Sequence, residues 1–207
     1  MAGNRISVAC GKVGAMSDAQ KKQLHDYLVE SREALCWKTE GLSEYDVRRP
    51  LTPTGTNLLG LVKHLSIVEA SYFGATFGRP FPRHLPWWDD DAPEEADMWA
   101  TADEGRDEIL GTYREATAHA DGTIRSLALD APGHVSWWSR PDVTLHGVLV
   151  HVVAETSRHV GHADIVRELV DGQVGMRAGN SNLAPHDGQG WVDHRARIEA
   201  AARAASR

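Results

Sequence analysis

Apolar residues recur along this chain at intervals of three and four, the period of helices with one buried face, and not at the alternation of strands. Four long segments carry the pattern. The first runs from about Ser17 to Thr39, with Leu24, Leu28 and Leu35 on one face and Ser17 with Gln20 as a capping box. The second starts near Thr56 and runs to about Phe77; Leu58, Leu61, Val62, Leu65, Val68 and Tyr72 give it a wide apolar face. The third covers about residues 102–129, with Ile109, Tyr113, Ala116, Ala120, Ile124 and Leu127 inward. The fourth is TLHGVLVHVVAETSRHVGHADIVRELV, bounded by Thr144 and Gly172, and a short polar helix, WVDHRARIEAAARAA, follows a Gly-rich loop. No strand-like alternation of useful length intervenes. The pattern predicts an all-α fold, a four-helix bundle with long crossover loops and a trailing C-terminal helix.

Two of the connections are long. Residues 78–98 carry four prolines, the pair Trp87 and Trp88, and an acidic run from Asp89 to Asp91 that reads as solvated surface. Residues 130–143 carry a second pair, Trp137 and Trp138. Long ordered loops in a compact domain are commonly functional. These indoles either cover the ends of the bundle or wall a small-molecule pocket.

Bulk properties narrow the classes of partner. The chain has 207 residues, 42% of them hydrophobic, and a formal charge of −7. That suits one domain over residues 17–207, with residues 1–16 as a flexible tail and Met16 as a possible second start. Lys and Arg form no basic stripe, so a nucleic acid is not an expected partner. No apolar run approaches the roughly 18 residues of a membrane span, and the first residues do not read as a secretory signal. Two cysteines, Cys10 and Cys36, make no disulfide framework, which fits a reducing cytoplasmic setting.

The fourth helix departs from a plain apolar stripe. Measured from His151 at about 100° per residue, Glu155 falls at about 40°, His159 at about 80° and His162 at about 20°, while Val148 and Val166 share about 60°. Polar groups turned toward a core cost several kcal/mol unless paired, hydrogen-bonded or bound to metal. Glu155 and His159, one turn apart, can grip one ion. His151 lies about 12 Å along the axis from His159, too far to join. A third ligand must come from another helix, and His64 is the best candidate, with Gly60 and Ser71 leaving room beside an ion; His25 and His119 have mixed faces. Two imidazoles and a carboxylate leave positions open for water or substrate, as catalytic sites do. The same spacing also arises in a Glu–His pair without metal. His162 reads as a neighbour of the site or a pocket wall, His151 as a half-buried histidine, and Arg158 points away.

The segments TNLLGLVKHLSIVEASYFG and LHGVLVHVVAETSRHVGHADIVREL together resemble the DinB-like superfamily, in its branch related to mycothiol-dependent maleylpyruvate isomerase. The resemblance covers nearly all of residues 17–172 and extends to an N-L-x-P segment, Asn182 to Pro185. It implies a four-helix bundle with long crossovers and one divalent ion, zinc or nickel, on His64, Glu155 and His159. It also implies thiol chemistry: transfer of mycothiol or bacillithiol to an electrophile, or thiol-assisted isomerisation. The isomerase's separate C-terminal domain has no counterpart here, which favours transfer. The thiol is expected to be an external cosubstrate, the partners a small-molecule substrate and a second copy in a homodimer. Two other classes fit the same residues: a metal-assisted hydrolase with His162 or His151 as general base, and a non-enzymatic metal-binding stress protein. Two-His-one-carboxylate iron oxygenases usually use β-scaffolds, which this chain does not predict.

Overall fold

The computed structural model describes residues 10–184 and 187–206. Its helices are α1 (Cys10–Trp37), α2 (Glu44–Arg48), α3 (Leu58–Tyr72), α4 (Arg106–Ser126), α5 (Leu145–Asp171) and α6 (Gly188–Ala205). A hairpin of two three-residue strands, β1 (Pro132–His134) and β2 (Asp142–Thr144), pairs antiparallel with Pro132 opposite Thr144. The fold is therefore all-α, as the periodicity predicts. α1, α3, α4 and α5 make the bundle: α3 packs on both α4 and α5, and α1 on α5.

The ends of the helices differ from the sequence reading where local chemistry decides them. α1 runs through Ser17, so Ser17 is no cap; residues 1–9 of the expected tail, and Pro185 of the N-L-x-P segment, lie outside the described residues. α3 starts after Asn57, whose side chain accepts the Gly60 N–H at 2.7 Å, a standard use of Asn at a helix start. It stops five residues short of Phe77, because at Gly74 the backbone turns so tightly that a Cβ there would lie 2.0 Å from the Ala70 carbonyl oxygen. α4 begins at Arg106, after Gly105. α5 matches expectation at both ends, with Thr144 accepting from the Gly147 N–H and Gly172 in the left-handed conformation that terminates helices. The short helix α2, capped by Ser43, was not foreseen, and α6 begins at Gly188 and buries no residue.

α3 is the axis of the molecule. Every one of its residues is buried except His64 and Ser71. Seven positions apart, these two share one side of the helix to within about 20°, so α3 leaves a single stripe uncovered. Its polar side chains are paired inside the bundle. Glu69 is fully buried and accepts two hydrogen bonds from Arg32 of α1, both at 2.7 Å. Arg32 also donates to Asp121 of α4 at 2.7 Å, and Asp121 lies 2.7 Å from His25. Lys63, 2% exposed, donates to the Trp99 carbonyl at 3.0 Å and pairs with Glu104 at 2.6 Å.

Burial pushes the Glu69 carboxyl up, against the pull of Arg32. Burial acts on Asp121 too, but the hydrogen bonds from His25 and Arg32 outweigh it and bring that carboxyl down to about 2. Because the folded value lies below the unfolded one, the contribution is present above about pH 4 and is lost as pH falls through about 2; it amounts to about 2 kcal/mol. Removing one partner of a buried pair costs about 3–5 kcal/mol. Urea titrations should find Glu69→Ala less stable by that amount at pH 7. They should find Asp121→Asn less stable by about 2 kcal/mol at pH 7, with the difference shrinking toward pH 2. A difference for Asp121→Asn that is constant across this range contradicts the assignment.

Candidate metal centre

His64 sits mid-way along α3 on the uncovered stripe, and α5 crosses it with Glu155 and His159 one turn apart. One ligand-capable atom from each of the three lies within 4.8 Å of the others. Glu155 Oε1 is 3.1 Å from His159 Nε2 and 3.9 Å from His64 Nε2, and the two imidazole rings meet edge to face at 4.8 Å. All three side chains are partly exposed, His159 least at 12%, so the cluster is reachable from solvent yet mostly walled by protein. The helix-surface argument thus brings together the residues it nominated.

A fourth residue, which the sequence reading missed, decides how His64 faces the others. Asp97, from the loop before α4, lies 2.6 Å from His64 Nδ1. The Asp97 carboxyl is held below its usual range, chiefly by that hydrogen bond and against its own partial burial. An ionised Asp97 keeps the proton on Nδ1, which donates to it, and leaves Nε2 as the bare nitrogen turned toward Glu155. A lone pair and an anionic oxygen facing each other at this range repel unless a cation or proton stands between them. The donor set therefore fits a divalent ion: two imidazoles and one carboxylate, with a carboxylate behind one imidazole to fix its tautomer. His159 is pushed down by burial and then by the neighbouring His64, which favours the neutral imidazole that ligates metal. Its Nδ1 is buried and finds no hydrogen-bond partner among the described residues.

Asp97 owes its position to a glycine. A Cβ on Gly60 would lie 1.8 Å from the Met98 carbonyl oxygen, so only glycine lets the loop press onto α3 there. Asn57 Nδ2 donates to the same carbonyl at 3.1 Å. Gly60 thus makes room for the loop that carries Asp97, and not for space beside an ion as the sequence suggested.

The remaining nominated residues spread out. His162 is exposed, its ring 5.4 Å from that of His159. His151 is packed against Tyr72 and Trp138, with ring centres 4.9 and 4.8 Å away. His25 pairs with Asp121, and His119 lies 2.7 Å from the Arg79 carbonyl oxygen, so neither belongs to the cluster. Cys36 packs half-buried against the core and is not one of the cluster's ligands. Of the indoles, Trp87 lies under the Lys63 ammonium at 4.9 Å and Trp138 donates to the Tyr72 hydroxyl at 3.1 Å. Trp88 and Trp137 are each more than half exposed.

A model of the mycothiol-S-transferase family matches residues 23–172. The chain belongs to this family. The matched span contains α2 to α5, most of α1, and all four residues of the cluster, while α6 lies beyond it. Among solved structures, a conserved protein from Enterococcus faecalis is similar over 76% of this chain and 98% of its own, at 18% identity and a TM-score of 0.49. A search of curated proteins finds no match. No helix among the described residues is long and apolar enough to cross a membrane.

The Gly60 contact yields a direct test. Gly60→Ala must displace the Met98 backbone and lower stability by about 1–3 kcal/mol, the usual cost of overpacking. In NMR spectra the His64 ring signals should shift more than those of His25. An unchanged denaturation midpoint would mean that the loop is not seated on α3.

Proposed function

We propose that this chain transfers a low-molecular-weight thiol, mycothiol or a similar one, to an electrophilic small molecule with the help of one divalent ion, zinc or nickel, held by His64, Glu155 and His159. Two facts support the reading together: the chain belongs to the mycothiol-S-transferase family, and these three side chains converge, with a further carboxylate orienting His64. When bound, a divalent ion supplies a Lewis acid that favours the ionised, nucleophilic form of a thiol. Three protein ligands leave room for an exogenous group, which a closed four-ligand structural site does not.

The chain's own residues supply position and charge. Asp97 holds the His64 ring with Nε2 inward. Glu155 brings the single negative charge of the ligand set, which leaves a divalent ion with its three ligands net positive and suited to an anionic sulfur. His162, exposed next to His159, stands where it can pass the released proton to solvent. His151 is wedged between Tyr72 and Trp138 and takes no part in holding the ion. Cys36 packs against the core and is not one of the cluster's ligands, and the thiol in this reading is an external cosubstrate.

Metal titration with a competing chelator should show one tight site in the parent protein and none in His64→Ala, with the helical circular dichroism signal retained. Asp97→Asn should weaken the site by about 10–100-fold, the range for partners that orient a ligating histidine. Thiol consumption with a small electrophile should then require both added thiol and metal, and Glu155→Gln should depress it. Equal rates for stripped and reloaded protein contradict the proposed reaction.

A further inference from the structure

The uncovered stripe of α3 continues past His64 into a groove of about 370 Å³, a volume within the range of small-molecule sites. Ile67 and Ser71 line its floor, and Phe81, Leu85, Trp88 and Trp137 its walls. His64, Glu155 and His159 are not among the lining residues, so the groove neighbours the cluster without containing it. Its near end is close. Ile67 lies one turn beyond His64, about 4.5 Å along the axis and about 60° around it; Ser71 lies about 10 Å along and about 20° around.

The walls are built to hold their shape. The loop that carries Phe81, Leu85 and Trp88 has prolines at 80, 82 and 86, each restricting the backbone. Leu85 is buried in a small core of its own with Ile67, Ala70 and Ala116, against which Phe81 and Trp87 pack. Arg83 ties the same loop to α4 through Glu108 at 3.0 Å and Glu115 at 3.1 Å. On the opposite wall, the Trp137 ring stands edge-on to Tyr72 at 5.4 Å, and Tyr72 in turn touches His151 of α5. Yet the two indoles at the mouth are left 56% and 51% exposed, Trp88 and Trp137 respectively. Large aromatic surface held open on two facing connections is surface that a flat apolar guest would cover.

We infer that this groove is the binding site of the second substrate and selects a planar aromatic electrophile, resting on the thiol-transfer reading above. Seated between Trp88 and Trp137 with its reactive carbon toward His64, such a substrate receives the sulfur at that carbon. For an aryl-bearing alkyl halide the balance is simple. The thiol S–H gives up its proton to solvent, the sulfur forms a bond to carbon, and the carbon–halogen bond breaks with its electron pair leaving as halide.

Two measurements separate this inference from the reading on which it rests. The first is binding of tetramethyl bimane, which has the planar ring system but no leaving group, to full-length protein without thiol. The parent should bind it, and Trp88→Ala combined with Trp137→Ala should bind about tenfold more weakly or worse, since each aromatic contact contributes measurably. The double Phe variant, which keeps two flat rings, should stay within about threefold of the parent, which guards against loss through misfolding. The second is kcat/KM with mycothiol for monobromobimane relative to iodoacetamide; that ratio should fall about tenfold in the double Ala variant, through KM. Equal bimane binding by parent and double Ala variant, or an unchanged ratio, overturns the groove assignment. Bimane binding lost in the double Ala variant, in a parent that consumes no thiol with either electrophile, upholds the groove and removes the transferase reading.

Discussion

Two imidazoles and a carboxylate share a small volume between α3 and α5, partly open to solvent and held there by hydrogen bonds from both sides. Asp97 accepts a hydrogen bond from His64 Nδ1, which turns the other nitrogen toward Glu155 Oε1 at 3.9 Å. His159 can donate to Glu155, but its second nitrogen is buried without a partner among the described residues. A chain that wanted only a stable helix crossing would place valine or leucine here and gain from burial. Two imidazoles and a carboxylate placed this way form a donor set that fits a cation, and the rest of the bundle holds that set in place.

That arrangement centres on α3. A helix buried on nearly every side can present a functional stripe only if its other polar residues are neutralised internally. Arg32, itself paired with Asp121, does this for Glu69, and Glu104 with the Trp99 carbonyl does it for Lys63. The loop between α3 and α4 then returns across the helix at Gly60, where the missing side chain admits the Met98 backbone. One residue earlier in that loop, Asp97 reaches His64. Fold and site therefore share a device: the glycine that lets the loop pack also delivers the carboxylate that orients the histidine. Before it reaches Asp97, the same loop supplies one wall of a groove through Phe81, Leu85 and Trp88, so a single connection serves both the ligand and part of the space beside it.

The four bundle helices were legible because each carries an apolar face of helical period, and α5 in full because Thr144 and Gly172 are strong start and stop residues. The trio was legible from helix geometry: Glu155 and His159 share a face, and His64 interrupts an otherwise apolar helix. Asp97 was not. It sits in a segment crowded with acids, where nothing local separates it from Asp89, which pairs with His84 at the surface. Its partner lies 33 positions away, and that pairing is a tertiary fact. The early stop of α3 and the role of Gly60 escaped for the same reason, since each depends on a backbone carbonyl that the sequence does not place. The tryptophan pairs were legible as pairs but not in their division of labour, because neighbouring residues on a tight turn point in different directions. Trp87 and Trp138 turn inward to Lys63 and Tyr72, while Trp88 and Trp137 turn outward to one groove.

The central claim is that the ion belongs to His64, Glu155 and His159, and X-ray absorption at the zinc edge tests it most directly. Zinc-loaded protein without added thiol should show only nitrogen and oxygen neighbours, at about 2.0–2.1 Å, with the outer-shell scattering of two imidazoles. His64→Ala should reduce that pattern to one imidazole or abolish binding. A sulfur neighbour at about 2.3 Å, which the chain could supply only from a cysteine, or an imidazole count unaffected by loss of His64, would place the metal elsewhere and contradict the account.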